Sequence, residues 1–82
     1  HPQAAGSFVI DGITPIRDLN RAFDWNLPDE EATTIAGLVI HEARTIPDPG
    51  QRFAFYGFEF EILRRQRNQI TVVRVTPPEK NN

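Results

Sequence analysis

The sequence predicts an α+β fold, a two-layer sandwich in the order β-α-α-β-β-β with two helices packed on one face of a mainly antiparallel sheet. Three observations predict it. Apolar residues recur at helical spacing in the first half, and the period switches to alternation after the break Ile46-Pro47-Asp48-Pro49-Gly50. The alternating half holds three β-type runs with short connections, the pattern of an antiparallel meander. Finally, 82 residues are enough for one small core and too few for two.

Ser7-Phe8-Val9-Ile10 is a short β-type run closed by the turn pair Asp11-Gly12. Thr14-Pro15 then offers an N-cap followed by proline at the first helical position. Ile16, Leu19 and Phe23 define the stripe of a short helix ending near Asp24-Trp25, and Asn26-Leu27-Pro28 breaks it. Asp29-Glu30-Glu31 leads into a second helix that Thr33 or Thr34 caps, with Ile35, Leu38 and Val39 as its stripe and Glu42-Ala43 continuing it. Gly37 inside that helix costs about 1 kcal/mol against alanine, so close approach of another backbone is expected there. Phe53 and Phe55 share one strand face; beyond Gly57, Phe58, Phe60 and Ile62 share a face against Glu59 and Glu61. A polar turn is expected over Arg64–Gln69, containing Asn68, before the β-branched strand Ile70-Thr71-Val72-Val73-Arg74-Val75. Which strand pairs with the first is not legible.

The composition excludes several function classes. With 39% hydrophobic and 24% charged residues the chain is globular rather than disordered, and eight aromatic residues supply a core. A net charge of −2 lacks the basic excess of a nucleic-acid binder. The absence of cysteine removes disulfide scaffolds, thiolate zinc sites and thiol chemistry. No apolar run approaches the ~20 residues of a membrane span. Residues 1–6 read as a linker or the end of an excised piece, 7–77 as the domain, and 78–82 as a flexible tail.

An ordered set of segments resembles the CorC/HlyC, or transporter-associated, domain. It comprises Gly6–Gly12, Ile16-Arg17-Asp18-Leu19-Asn20, Leu27-Pro28, Thr34-Ile35-Ala36-Gly37-Leu38-Val39, Ile46–Gly50, Gly57–Leu63 and Ile70–Val75. The sequence departs from that pattern at His41-Glu42-Ala43-Arg44, where an apolar residue and a glycine are expected before Arg44-Thr45-Ile46-Pro47. The end of the second helix is where this departure would act. The resemblance implies a fold similar to a subdomain of FAD-binding oxidoreductases. It also implies a C-terminal regulatory position in a hemolysin-like membrane protein of magnesium and cobalt transport, at the cytoplasmic face of the membrane. The implied partners are a CBS-domain pair and the membrane region of the same protein, with a homodimer as a further expectation. An adenine nucleotide or FAD is implied as a ligand by the resemblance alone.

Residue chemistry points to an accessory domain rather than an enzyme. Ser7 is the only serine and lacks a His-Asp arrangement at recognisable spacing. His41 is the only internal histidine, so zinc ligation lacks a second donor. Glu59 and Glu61 share a strand face but read as the solvated side of an amphipathic strand. Asp29-Glu30-Glu31, with Asp24 nearby, point in different directions and suit a helix N-terminus better than a hard cation. The glycines form no phosphate loop. Two candidate sites remain. Arg64, Arg65 and Arg67 with Arg74 form a candidate ligand or anion patch, against the alternative that they guard a hairpin tip and edge. Trp25 and Tyr56 are candidate interface residues, Trp25 as a partly exposed packing contact beside Asn26-Leu27-Pro28.

Overall fold

A computed structural model describes residues 6–78, so the expectations for residues 1–5 and 79–82 lie outside the described residues. The elements are β1 (Phe8–Asp11), α1 (Ile16–Phe23), α2 (Ile35–Ala43), β2 (Arg52–Phe55), β3 (Phe58–Gln66) and β4 (Gln69–Thr76). The strands form one antiparallel sheet in the order β1-β4-β3-β2. The predicted meander is therefore present, and β1 adds to its far side against β4, with Phe8 opposite Val75 and Asp11 opposite Val72.

One core joins the layers. Ile16 and Leu19 of α1 and Ile35, Leu38 and Val39 of α2 bury against Ile10 of β1, Phe58, Phe60 and Ile62 of β3, and Ile70, Val73 and Val75 of β4. Leu27 closes it from the connection between the helices. The Asn20 side chain holds that connection by donating to the Leu27 carbonyl and accepting from its N–H, both at 2.9 Å. Phe23, expected on the buried stripe of α1, is instead exposed at the helix end and packs on Phe8 and Trp25.

The helix starts differ from expectation in an instructive way. Of the two threonines offered, Thr34 caps α2, its hydroxyl accepting from the Gly37 N–H at 3.1 Å. At α1 the cap position falls on Pro15, without a side-chain bond, and not on Thr14. The two starts satisfy each other instead. The Ile16 N–H donates to the Thr33 carbonyl at 2.8 Å and the Ile35 N–H to the Thr14 carbonyl at 3.0 Å, a β-bridge between Pro15 and Thr34. The Ala36 N–H donates to the Gly12 carbonyl at 3.0 Å. Three amides that would otherwise be orphaned are thus bonded by chain outside their own helices.

Close backbone approach falls at Gly12 rather than Gly37. A Cβ at Gly12 would lie 2.0 Å from the Ile70 carbonyl oxygen, whereas one at Gly37 would meet the Thr34 hydroxyl at 3.2 Å and the Ala32 methyl at 3.3 Å. The anticipated change at the end of α2 resolves as Arg44 in the left-handed region at φ 65°, its N–H donating to the Ile40 carbonyl. This is the position where helices commonly place glycine. The expected turn over Arg64–Gln69 is also shorter than read. β3 runs on to Gln66 through two compensating irregularities against β4, one on each side of Arg64, and only Arg67-Asn68 lie between the strands. Arg67, not Asn68, takes the left-handed conformation there.

Candidate functional site

Trp25 follows the end of α1, where Asp24 at φ 59° turns the chain sharply. Its indole stacks on Phe23 at 4.6 Å between centroids and meets the edges of Phe58 at 5.2 Å and Phe8 at 5.8 Å. These separations fall in the range where aromatic pairs attract beyond simple burial. Tyr56 sits opposite, on the two-residue turn between β2 and β3. Tyr56 at φ 56° and Gly57 at φ 82° are both left-handed there, as a tight hairpin of this length requires. An aromatic residue in that region is uncommon, since Asn, Asp or Gly take it with less strain.

Between them lies an open groove of about 570 Å³, lined by Phe23, Asp24, Trp25, Asn26, Tyr56, Phe58, Pro77 and Pro78. Its volume falls in the ordinary range for binding clefts. Tyr56 is 54% exposed, and its hydroxyl donates to Glu42 Oε2 on α2. That bond, with smaller contributions from desolvation and from the charges of Glu42, Glu30 and Glu31, raises the phenol above its ordinary value of 10.0. Both predicted interface residues therefore line one groove. Sequence reading missed Phe23, Asp24 and Pro77-Pro78 as its walls; the exposed end of α1 and the return of β4 bring them together, and neither is a local signal.

The four arginines do not converge on one site. Arg65 reaches back over the loop before β2, donating through Nη1 to the Ile46 carbonyl at 3.0 Å and to Asp48 Oδ1 at 2.7 Å. Its Nε donates to the Arg67 carbonyl at 2.7 Å. Arg74 pairs with Glu61 at 2.9 Å across the solvent face of the sheet, in a shallow depression shared with Ser7, Arg52, Glu59 and Thr76. Arg64 lines a second hollow beside Arg65, with Pro49, Leu63, Gln66 and Thr71, and Arg67 a third at the hairpin tip. Among the described residues no three His, Cys, Asp or Glu side chains gather to hold a metal ion, and no helix is long and apolar enough to cross a membrane.

Two helices on a four-stranded antiparallel sheet, with an aromatic groove at one end, define a small two-layer α+β domain. The chain belongs to the CorC_HlyC family, the transporter-associated domain, whose model matches residues 1–79. This is a transporter-associated accessory family, not an enzyme family. Among relatives, the UPF0053 inner membrane protein YfjD of Escherichia coli is 38% identical over 76 residues, covering 93% of this chain and 18% of that protein. The magnesium and cobalt efflux protein CorC of Buchnera aphidicola (from Acyrthosiphon pisum) is 34% identical over 73 residues, covering 89% of this chain and 25% of that one. The chain thus spans a quarter or less of the length of these relatives. Among solved structures, a conserved protein of unknown function from Haemophilus influenzae superposes with a TM-score of 0.84 at 37% identity, covering 92% of this chain and 93% of that chain. The region associated with a putative Mg2+ and Co2+ transporter (CorC) of Neisseria meningitidis gives 0.82 at 30% identity, covering 94% and 95%.

Proposed function

We propose that this chain is the regulatory domain of a hemolysin-like magnesium and cobalt transport protein. It modulates ion movement by docking its Trp25–Tyr56 groove on a neighbouring part of the same assembly. The neighbour is a CBS-domain pair, the membrane region or a second protomer, and the domain lies at the cytoplasmic face of the membrane. The observation that carries this reading is the groove itself: an aromatic cluster left open to solvent, with Tyr56 held in an uncommon backbone conformation on its edge. A buried aromatic anchor ringed by polar residues is the usual make-up of an interface hot spot. The relatives' names supply the ions, and their greater length supplies room for the neighbours. The test is made in the full-length protein. Replacing Trp25 and Tyr56 together by Ala is expected to leave the protein in the membrane and to change cobalt efflux from loaded vesicles several-fold. Unchanged efflux would refute the reading.

A second reading rests on Arg64 and Arg67, which are exposed and have no ion-pair partner among the described residues. With Arg65 and Arg74 they would hold the phosphates of an adenine nucleotide or of FAD, since arginine binds phosphate through two parallel hydrogen bonds. The commitment of Arg65 to Asp48 and of Arg74 to Glu61 favours the first reading. Calorimetry with ATP, AMP and FAD separates the two. Saturable binding that is lost in an Arg64→Ala/Arg65→Ala variant would place the second ahead.

A further inference from the structure

The groove is mostly apolar with carboxylates beside it. Phe23, Trp25, Tyr56 and Phe58 with Pro77-Pro78 make up its apolar, largely aromatic lining. Asp24 stands among the lining residues beside Trp25, and Glu42 is fixed against the Tyr56 hydroxyl. Neither carboxylate forms an ion pair among the described residues, in contrast to Asp48 and Glu61, which pair with Arg65 and Arg74. Among the described residues, no arginine, lysine or histidine lines the groove. Glu30 and Glu31 add negative potential on the Tyr56 side.

We propose that the groove docks a peptide segment in which arginine or lysine alternates with apolar residues. The proposal rests on the reading of the groove as a docking surface and names the chemistry of what docks there. Guanidinium or ammonium groups over the faces of Trp25 and Tyr56 gain cation–π attraction, and they meet carboxylates that form no ion pair among the described residues. A purely apolar segment would desolvate Asp24 without giving it a partner, which is costly. An acidic one would be repelled. A divalent ion lacks the converging oxygen donors it needs. Such an open groove binds weakly, and weak binding suffices between parts of one tethered protein, where effective concentrations reach the millimolar range.

The domain can be tested alone, because its core is complete and the comparable solved chains consist almost entirely of this domain. Trp25 is the only tryptophan, so its emission reports the groove. Three blocked hexapeptides alternate Leu with Arg, Gln or Glu, and spermine and magnesium chloride serve as small cations. The Arg-Leu peptide is expected to shift Trp25 emission saturably, at least tenfold tighter than Gln-Leu, and to weaken steeply as salt rises. Asp24→Asn/Glu42→Gln should bring it down to the Gln-Leu level while circular dichroism stays unchanged. Should that double variant fail to fold, Glu42→Gln alone is expected to lose about threefold or more. Equal binding of Arg-Leu and Gln-Leu would overturn the charge requirement while leaving the docking surface intact. Spermine or magnesium shifting Trp25 as strongly as Arg-Leu would reduce the effect to adventitious cation binding and overturn it too. A concentration-dependent dimer in sedimentation, abolished by Trp25→Phe/Tyr56→Ala, would assign the groove to a second copy instead. Silence of all three peptides sinks the proposal, and the docking reading then stands or falls on the full-length efflux measurement alone.

Discussion

Among the described residues four non-glycine positions, Asp24, Arg44, Tyr56 and Arg67, hold left-handed backbone, and each ends an element or turns a hairpin. At Arg44 the conformation serves only to stop α2, and a side chain there costs about 1 kcal/mol. Arg44→Gly is expected to raise stability by about that amount, read as an increase in Tm of roughly 4–8 °C for a domain of this size. Gly12→Ala is the opposite case. With a methyl carbon 2.0 Å from the Ile70 carbonyl oxygen, the bond from the Gly12 N–H to Thr71 cannot survive. Thermal melts should show a loss of at least ~3 kcal/mol, the scale of a core overpacking. Tyr56 gives a prediction in pH. Its neutral phenol is favoured in the folded domain, so whatever it contributes to stability is complete below the unfolded value near 10 and is lost as pH rises through the folded one. Because it is the only tyrosine, absorbance at the phenolate band should titrate with a midpoint above 10, and Glu42→Gln should move it down.

The element order was legible, because amphipathic period is written locally. Ile35, Leu38 and Val39 on α2 and Phe58, Phe60 and Ile62 on β3 are buried as their spacing requires. A cap at Thr33 or Thr34 was legible for the same reason, and Thr34→Ala is expected to lower stability by about 1 kcal/mol in denaturant melts. What escaped were features set by other parts of the chain. The start of α1 depends on Thr33 and Thr34 some twenty residues on, so the local signal Thr14-Pro15 named the wrong cap. The paired irregularities of β3 and β4 carry the strand past Arg64 and turn Arg65 toward Asp48, which a run of polar residues disguised as a turn. Of the candidate groove, Trp25 stood out as a partly exposed aromatic beside Asn26-Leu27-Pro28, and Tyr56 as a candidate interface residue. Their meeting across one groove was not legible, since it depends on how far β3 and the end of α1 overlap.

At the scale of the molecule the domain is one core with a polar sheet face and one aromatic opening. The Asn20 side chain is the polar link that holds the connection between α1 and α2 at Leu27, beside the burial of Leu27 itself. Asn20→Ala should cost about 2 kcal/mol, two part-buried hydrogen bonds at roughly 1 each. Chemical denaturation would measure it, and an unchanged midpoint would mean that Leu27 anchors the connection unaided.

The pairing of β1 with β4 has a mechanical side. Phe8 lies opposite Val75, and the Ser7 hydroxyl bonds that of Thr76 at 3.1 Å, so the two ends of the folded unit leave it side by side. A load applied through both ends therefore opens the β1–β4 ladder one rung at a time, as a zip, instead of loading all its bonds at once in shear. The same domain held at Ser7 and at the turn between β3 and β4 would resist far higher force. A tether that pulls on both termini would release β1 first, and with it Phe8, one of the rings packed against Trp25.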